Sequence, residues 1–478
     1  MPKIPQRLGL WNWKPSRRSP SKAWPQSRPL DPTPPRPCLG PWIKQVPDKP
    51  CSRIWHCFAT MECLPRVWPP NISNPSIMSA EPTMSDSESN RGSTPQEPVR
   101  IKGMASEAPD RTYSLLTLAS GLPVQEDHPV RIPQGIVEEL RIRHGHLLEA
   151  EVQQRTIRTR RGKRQRREVS KVLQVEHLDP EVHRSRPSFE DLVPIDPAPR
   201  LTLEHEGGPI SSRMIDLFCP IGFGTRGLIV APPKAGKTTL LRDIATSVAV
   251  NHPQVRIIAV LIDERPEEVT EFTRHVPGEV LASSNDMDLE THTDLALFAY
   301  ARARRLLEAG EDVLFLVDSL TRLGRAFNND RRYATGGRTM SGGIDTMALD
   351  WPKRIFGTAR NVEGPGSLTM LATCLVDTGG RGDQVIFEEF KGTGNMELVL
   401  DRSVAEQRLF PAIDLAGSGT RKEDLLLSEG THQTITALRR RLINMKPPQQ
   451  VAQLLKAMER VPTNELLVQG GRPSDGSQ

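Results

Sequence analysis

Apolar runs alternate with polar, helix-like stretches from about residue 200 to the end of the chain. The runs are GLIV, RIIAVLID, DVLFLVD and SLTMLATCLVD, and each is dense in branched side chains. Near-continuous apolar strands separated by helical segments are typical of a parallel sheet that is covered on both faces. The pattern therefore predicts an α/β domain over residues 200–478, with a helical segment at its C-terminal end.

The preceding residues, 128–195, have a different pattern. Short alternating apolar runs, GIVEEL and KVLQVEHL, flank the segment RTIRTRRGKRQRR at 155–167, which contains eight basic residues and no acid. This predicts a small β-rich module with a basic hairpin, followed by a proline-punctuated linker at 193–200. The hairpin is either a solvated loop or a contact with a phosphate backbone, and the run alone does not decide between them.

Composition sets the N-terminal part apart. The first hundred residues contain 20 of the 43 prolines, and six of the seven tryptophans precede Pro69. Such a tract predicts a disordered leader over 1–110, which either binds a partner or results from a start codon assigned too far upstream.

The sequence contains no apolar run near the ~20 residues of a membrane helix, so we expect a cytoplasmic protein with no membrane partner.

The stretch GLIVAPPKAGKTTLL, at 227–241, predicts a phosphate-binding loop between a strand and a helix. The backbone N–H groups around Gly236 and the start of the helix would face bound phosphate, with Lys237 on the β- and γ-phosphates. The Thr238 hydroxyl would bind Mg²⁺. A chance Ala-Gly-Lys-Thr turn explains those four letters, but it does not explain the strand and the helix on either side.

Two predicted strands end in acids that such a site needs. DVLFLVD ends on Asp318, the expected position of a carboxylate that supports Mg²⁺, and LIDERPEE offers Glu264 as the base for an attacking water. Either acid alone would more commonly cap the following helix. Because ligands bind at the C-terminal ends of the strands in open α/β sheets, the two acids together indicate a hydrolytic site.

From residue 216 onward the sequence is similar to the family of bacterial transcription termination factor Rho. The resemblance rests on the strings DLFCPIGFGTRGLIVAPPKAGKT, LIDERPEEVTE, DSLTRLGRAFN, TMSGGID, PKRIFGTARNVE, VIFEEFKGTGNMEL and FPAIDLAGSGTRKEDLL. It implies a RecA-like P-loop ATPase that assembles as a homohexameric ring. Such a ring hydrolyses ATP with Mg²⁺, moves along RNA as a helicase, and terminates transcription by releasing nascent RNA from RNA polymerase.

The resemblance also implies roles for individual residues. It assigns catalysis to Lys237, Glu264 and Arg421, where Arg421 is an arginine finger that enters the neighbouring subunit's site. Phe410 would stack on adenine, and the metal would be held by Thr238 and Asp318. The full set implied for ATP binding is Lys234, Ala235, Gly236, Lys237, Thr238, Thr239, Arg265, Asp318, Arg322, Arg408 and Phe410.

RNA contacts are implied at two places. Two glycine-rich segments resemble the loops that line the pore of the ring, and their implied contacts are Arg338, Ser341, Gly342 and Arg381. The family's N-terminal RNA-binding barrel is only partly recognisable, as a partial OB-type module whose basic hairpin offers Arg160, Arg161, Lys163 and Arg164. Its aromatic strand is missing, because Tyr113 is the only aromatic residue between Pro69 and Phe189.

Two alternatives remain open at this point. One is a ring ATPase of the wider RecA and F1 class that acts on another polymer or partner, or that remodels RNA without terminating transcription. The other is a non-enzymatic RNA-binding protein on a degenerate nucleotide fold. The presence of Lys237, Glu264 and Arg421 argues against the second, and stimulation of hydrolysis by RNA rather than DNA would separate the first from the Rho function.

Overall fold

A computed structural model describes residues 98–470, except 109, 120–121, 124–128, 160–161, 335 and 338. The described residues all belong to one compact unit, 90–478. Along the chain, a β-barrel comes first and an α/β domain with a C-terminal group of helices follows. Most of the predicted leader, up to residue 97, lies outside the described residues.

The barrel contains β1 (Val99–Glu107), β2 (Tyr113–Ala119), β3 (Leu122–Pro123), β4 (Val130–Ile132), β5 (Leu147–Thr159) and β6 (Gly162–Val175). β1 pairs with both β2 and β5, and β4 runs parallel to β6, so the sheet closes in the order β1-β2-β4-β6-β5. The helix α1 (Gln134–Glu139) lies between β4 and β5. Five closed strands with this connectivity form an OB fold.

The structure corrects three predictions about this module. It begins at Val99 rather than at residue 128, so the end of the predicted leader is ordered strand. It is a complete barrel rather than a partial one, because β1 and β2 supply the half that lacks the expected aromatic residues. The run GIVEEL lies on α1, not on a strand, and its Val137 and Leu140 are buried at the three-residue spacing of a helix.

The α/β domain is built on six parallel strands in the order β10-β9-β11-β13-β8-β14. The four predicted runs are confirmed as β8, β9, β11 and β13. Their bounds, with the shorter strands, are β7 (Pro194–Ile195), β8 (Arg226–Ala231), β9 (Arg256–Glu264), β10 (Glu279–Ser284), β11 (Asp312–Asp318), β12 (Arg360–Val362), β13 (Ser367–Leu375), β14 (Met396–Val399) and β15 (Gly419–Thr420). β7 lies in the predicted linker and pairs with β12.

Helices cover both faces of this sheet, as predicted. Along β8, Ile229 packs in one apolar core and its neighbours Leu228 and Val230 pack in the other, as strand alternation requires. The helices are α2 (Pro180–Ser185), α3 (Ile210–Phe218), α4 (Lys237–Asn251), α5 (Pro266–His275), α6 (Leu289–Glu308), α7 (Leu320–Asn329), α8 (Asp350–Phe356), α9 (Arg381–Phe390), α10 (Arg402–Glu406), α11 (Glu429–Leu442), α12 (Pro447–Arg460) and α13 (Asn464–Gly470). Among the described residues, none of the helices has the length and apolarity to cross a membrane.

The barrel is fixed to the α/β domain along α6. Glu176 at the end of the barrel pairs with Arg302 at 2.6 Å, and both side chains are at least nine-tenths buried. Close by, the ring of Phe189 lies between two guanidinium groups, 4.2 Å from Arg304 and 4.0 Å from Arg360. A buried ion pair holds its partners in one arrangement, since separating them would leave an uncompensated charge. The predicted domain boundary at residue 200 stays a prediction.

Candidate active site

The predicted phosphate loop joins β8 to α4, which confirms the strand–loop–helix context. Lys234 and Gly236 both have positive φ, 66° and 87°, so the loop turns twice before the helix begins. A Cβ on Gly236 would come within 2.9 Å of the Phe410 ring, so glycine is needed there. No side chain caps the start of α4, which leaves its first N–H groups available for an anion.

Asp318 joins this loop to the centre of the sheet. Its carboxylate accepts hydrogen bonds from Lys237 Nζ at 2.7 Å and from Thr238 Oγ1 at 3.2 Å. Thr373, on the neighbouring strand β13, donates to the same carboxylate at 2.7 Å and holds it in place. The Thr238 hydroxyl and the Asp318 carboxylate are hard oxygen donors side by side, which is the donor chemistry that suits Mg²⁺.

Glu264 ends β9 and is 3% exposed. Arg322 Nε lies 3.0 Å from its carboxylate, and the same guanidinium donates to the backbone carbonyl and the side chain of Asp263. Burial, together with a hydrogen bond to Glu268, raises the pKa of Glu264 to about 7. A carboxylate with a pKa near neutrality can accept a proton and release it again, as a general base must.

The Glu264 carboxylate is close enough to Lys237 and Asp318 to feel both charges. The Lys237 ammonium lowers its pKa, and the Asp318 carboxylate raises it. β9, β11, β13 and β8 are neighbours in the sheet, so the residues at their C-terminal ends meet at one edge. The structure thus brings the predicted loop and both predicted acids together, where a phosphate and an attacking water would lie between them.

The remaining predicted ATP contacts differ in position and exposure. Phe410 is 39% exposed beside Gly236, which leaves its ring free to stack on a base. Lys234, Arg265 and Arg408 are exposed, and Ala235 and Thr239 are buried and half-buried next to the loop. The sequence reasoning did not identify Thr373 or Glu268, although Glu268 lies within the quoted string LIDERPEE.

Arg421 lies far from this edge. Its backbone N–H donates to the Asn395 carbonyl at 2.7 Å, and the Asn395 N–H donates to the Arg226 carbonyl at 3.0 Å. Arg226 begins β8 and the phosphate loop follows the end of β8, five residue steps of about 3.3 Å, or roughly 17 Å, away. An arginine side chain cannot span that distance, so the structure does not bring Arg421 into its own chain's site.

The two predicted pore segments are in contact with each other. Ser341 and Gly342 form a short 3-10 turn, and a Cβ on Gly342 would lie 2.5 Å from the Gly382 nitrogen. Arg381 begins helix α9 rather than lying in a loop, and Asp383 in its first turn accepts two hydrogen bonds from Arg325. Arg338 lies outside the described residues.

The basic segment forms the hairpin of β5 and β6, as predicted. Its tip, with Arg160 and Arg161, lies outside the described residues, and the backbones of Lys163 and Arg164 belong to β6. Further down the hairpin, Arg155 and Arg166 both pair with Glu168, at 3.3 and 3.1 Å. The loop between the last two strands of an OB fold is one of its nucleic-acid-binding loops.

Comparison with known proteins identifies the family of the chain. Residues 211–420 match the ATP synthase alpha/beta family, nucleotide-binding domain. Over 309 residues the chain is 50% identical to transcription termination factor Rho of Streptomyces coelicolor, and the match covers 65% of this chain and 74% of that protein. The chain belongs to the transcription termination factor Rho family.

Two further Rho proteins have similar relationships to the chain. The factor of Streptosporangium roseum is 53% identical over 286 residues, which are 60% of this chain and 74% of that protein. The factor of Borreliella burgdorferi is 45% identical over 356 residues, 74% of this chain and 68% of that protein. Membership of the Rho family confirms the predicted α/β nucleotide-binding fold and the predicted class of ATP-hydrolysing enzyme.

Proposed function

We propose that this chain is an RNA-dependent ATPase that works in the cytoplasm as a homohexameric ring, moves along nascent RNA and releases it from RNA polymerase. The observation that supports this most is the meeting of Lys237, Thr238, Asp318 and Glu264 at one edge of the sheet. A degenerate nucleotide fold would have lost members of this set. Within the part of the chain that the structure describes, no feature favours another polymer as the substrate.

In this proposal each residue has a distinct task during hydrolysis of ATP. The phosphate loop and Lys237 bind the β- and γ-phosphates, and Phe410 stacks on the adenine. Thr238 and Asp318 hold Mg²⁺, which when bound supplies positive charge at the phosphates. Glu264 orients the attacking water and accepts its proton on a carboxylate oxygen, while Arg322 keeps that carboxylate turned toward the site.

Arg421 completes the site of the adjacent subunit. Its position at the far end of β8 supports this role, because the side chain cannot reach the phosphates bound by its own chain. An arginine supplied in trans stabilises the charge that develops on the transferred phosphoryl group. In the ring, the segments around Ser341 and Arg381 would contact RNA in the pore, and the basic hairpin would bind RNA outside it.

The function is tested by measuring ATP hydrolysis by the full chain with no nucleic acid, with single-stranded RNA and with single-stranded DNA. We expect RNA to stimulate turnover strongly and DNA to do so weakly. Lys237→Ala should lower the stimulated rate by a factor of about 10³ or more, because it removes the charge that faces the phosphates. Lys456→Ala, a change of an exposed lysine on α12, serves as the matched control. Equal stimulation by DNA would contradict the proposal.

A further inference from the structure

The three C-terminal helices enclose an apolar groove that the proposed function does not use. The groove has a volume of about 490 Å³ and lies between α11, α12 and α13. Its walls include Ala437, Leu438, Leu442, Leu454, Val461 and Leu466. Leu466 is 49% exposed, although a leucine at a helix interface would normally be covered.

The chain's own C-terminal tail does not match this groove. Gly470 borders the groove and is followed by GRPSDGSQ, the last eight residues. This tail contains no apolar side chain other than one proline, whereas the groove walls are lined by leucine, valine and alanine. Filling such walls requires large apolar side chains, and this tail does not supply them.

The charged side chain in the described groove lining is basic. Among the described residues that line the groove, Arg441 is the one charged residue. Arg460 lies on α12 three residues after Ala457, one of the lining residues, and therefore on the same side of the helix. Within the described part of the chain, neither arginine forms an ion pair. Glu459 is two residues, or about 200°, from Ala457 and points to the other side of α12.

We propose that this groove binds an amphipathic helix of a partner protein, with apolar side chains between α11 and α13 and acidic residues beside Arg441 and Arg460. A volume of about 490 Å³ accommodates the apolar side chains of one helix face rather than a folded domain. Helices that lie in grooves place apolar anchors at spacings of three, four and seven residues, and charges at the edges fix their orientation.

The probe is a fluorescent 16-residue helical peptide with leucines at those spacings and glutamates at the two edges. A matched peptide carries lysines at the same edges. We expect the full chain to bind the acidic peptide more tightly than the basic one. Ala437→Trp, which fills the groove from an exposed position, should weaken binding by roughly tenfold or more.

Charge-reversal variants test whether the peptide contacts Arg441 itself or is attracted by the positive charge of this surface in general. Arg441→Glu should lower the affinity for the acidic peptide by roughly five- to tenfold and raise the affinity for the basic peptide. Arg440→Glu makes the same change one residue away, outside the groove lining, and should alter binding less than twofold. Variants that keep RNA-stimulated ATP hydrolysis are folded, so the binding result can be read directly.

Three results would overturn the proposal. The first is that neither peptide binds. The second is that Arg440→Glu and Arg441→Glu lower the affinity for the acidic peptide equally. The third is that Ala437→Trp changes the oligomeric state measured by sedimentation, which would identify the groove as a contact between copies of this chain. The expected peptide preference, reversed only by Arg441→Glu, supports the groove as a docking site for an acidic helix.

Discussion

Glu264 shows how surroundings can prepare one side chain for the chemistry proposed for it. Its carboxylate is buried between Arg322, Lys237 and Asp318, and it hydrogen bonds to Glu268. The two cations favour the charged form, and burial with the two acids favours the neutral form. The balance puts the pKa at about 7, well above that of an exposed glutamate.

This pKa predicts how hydrolysis depends on pH. Below about pH 7 the Glu264 carboxyl holds its proton and cannot accept one from water, so kcat/KM for ATP should fall as the pH drops through 7. Arg322→Met removes a charge that lowers the pKa, and the midpoint should move to higher pH. The check is the RNA-stimulated rate from pH 5.5 to 9, with Arg274→Met, a change of an exposed arginine on α5, as the control; a flat wild-type profile would contradict the assignment.

At the scale of elements, the β5–β6 hairpin and strand β2 of the barrel differ in the contacts that they could make with RNA. The basic hairpin of β5 and β6 extends from an OB barrel whose strand β2 has Tyr113 as its one aromatic residue, and that residue is buried. Stacking on aromatic rings is worth roughly 1–3 kcal/mol per base, and this barrel lacks exposed rings on β2. If the barrel binds RNA as proposed, this binding depends mainly on charge.

Charge-dominated binding predicts a steep response to salt and little preference for cytidine-rich RNA. Replacing Arg160 and Arg161 with Ala should reduce the slope of log affinity against log salt by about 1.4, since each phosphate on a single strand contributes about 0.7. Arg155→Ala should have a smaller effect, because Arg155 already pairs with Glu168. Binding is measured by fluorescence anisotropy without nucleotide. A cytidine preference that persists at high salt would contradict this account.

At the junction between the barrel and α6, a largely buried histidine predicts that the protein loses stability in acid. Burial, with the nearby Arg305 and Arg143 charges, lowers the pKa of His183 to about 4, against about 6.5 in the unfolded chain. Between these values the unfolded state binds a proton that the folded state does not, so stability falls as the pH drops below 6.5.

His183→Phe removes this titration. Between pH 7.5 and pH 5 the variant should lose less stability than the wild type, by on the order of 1–2 kcal/mol. Thermal denaturation at the two pH values measures the difference. The control is His177→Gln, a change of an exposed histidine in the same barrel. Equal losses in both variants and the wild type would show that His183 does not contribute.

At the scale of the whole molecule, the role proposed for Arg421 implies an active unit larger than one chain. We expect mixed rings of Arg421→Ala and Lys237→Ala subunits to hydrolyse ATP, although each variant alone is inactive. Some junctions then combine an intact phosphate loop with an intact arginine from the neighbour. The measurement is turnover after the two variants are mixed under conditions that exchange subunits, compared with each variant alone. No recovery in properly mixed rings would mean that Arg421 does not act in trans.

Local patterns predicted much of the α/β domain, because a buried parallel strand is a continuous apolar run and Asp318 and Glu264 come directly after such runs. The strands of the barrel were harder to predict from the sequence. VRIKGMASE has weak alternation and no aromatic residue, so β1 has few of the features that favour a strand, and it is stabilised by pairing with β2 and β5. The position of Arg421 depends on pairing between β14 and β15, a long-range register that no local pattern specifies.

The close approach of Gly342 to the Arg381–Gly382 backbone has a mechanical consequence. Two main chains meet there with no side chain between them that could give way. Packed backbone is stiff, so a displacement of either segment would also displace the other and, through Arg325 and Asp383, helix α7. If the two segments line the pore as proposed, they would move along the RNA as one rigid unit per subunit rather than as two independent ones.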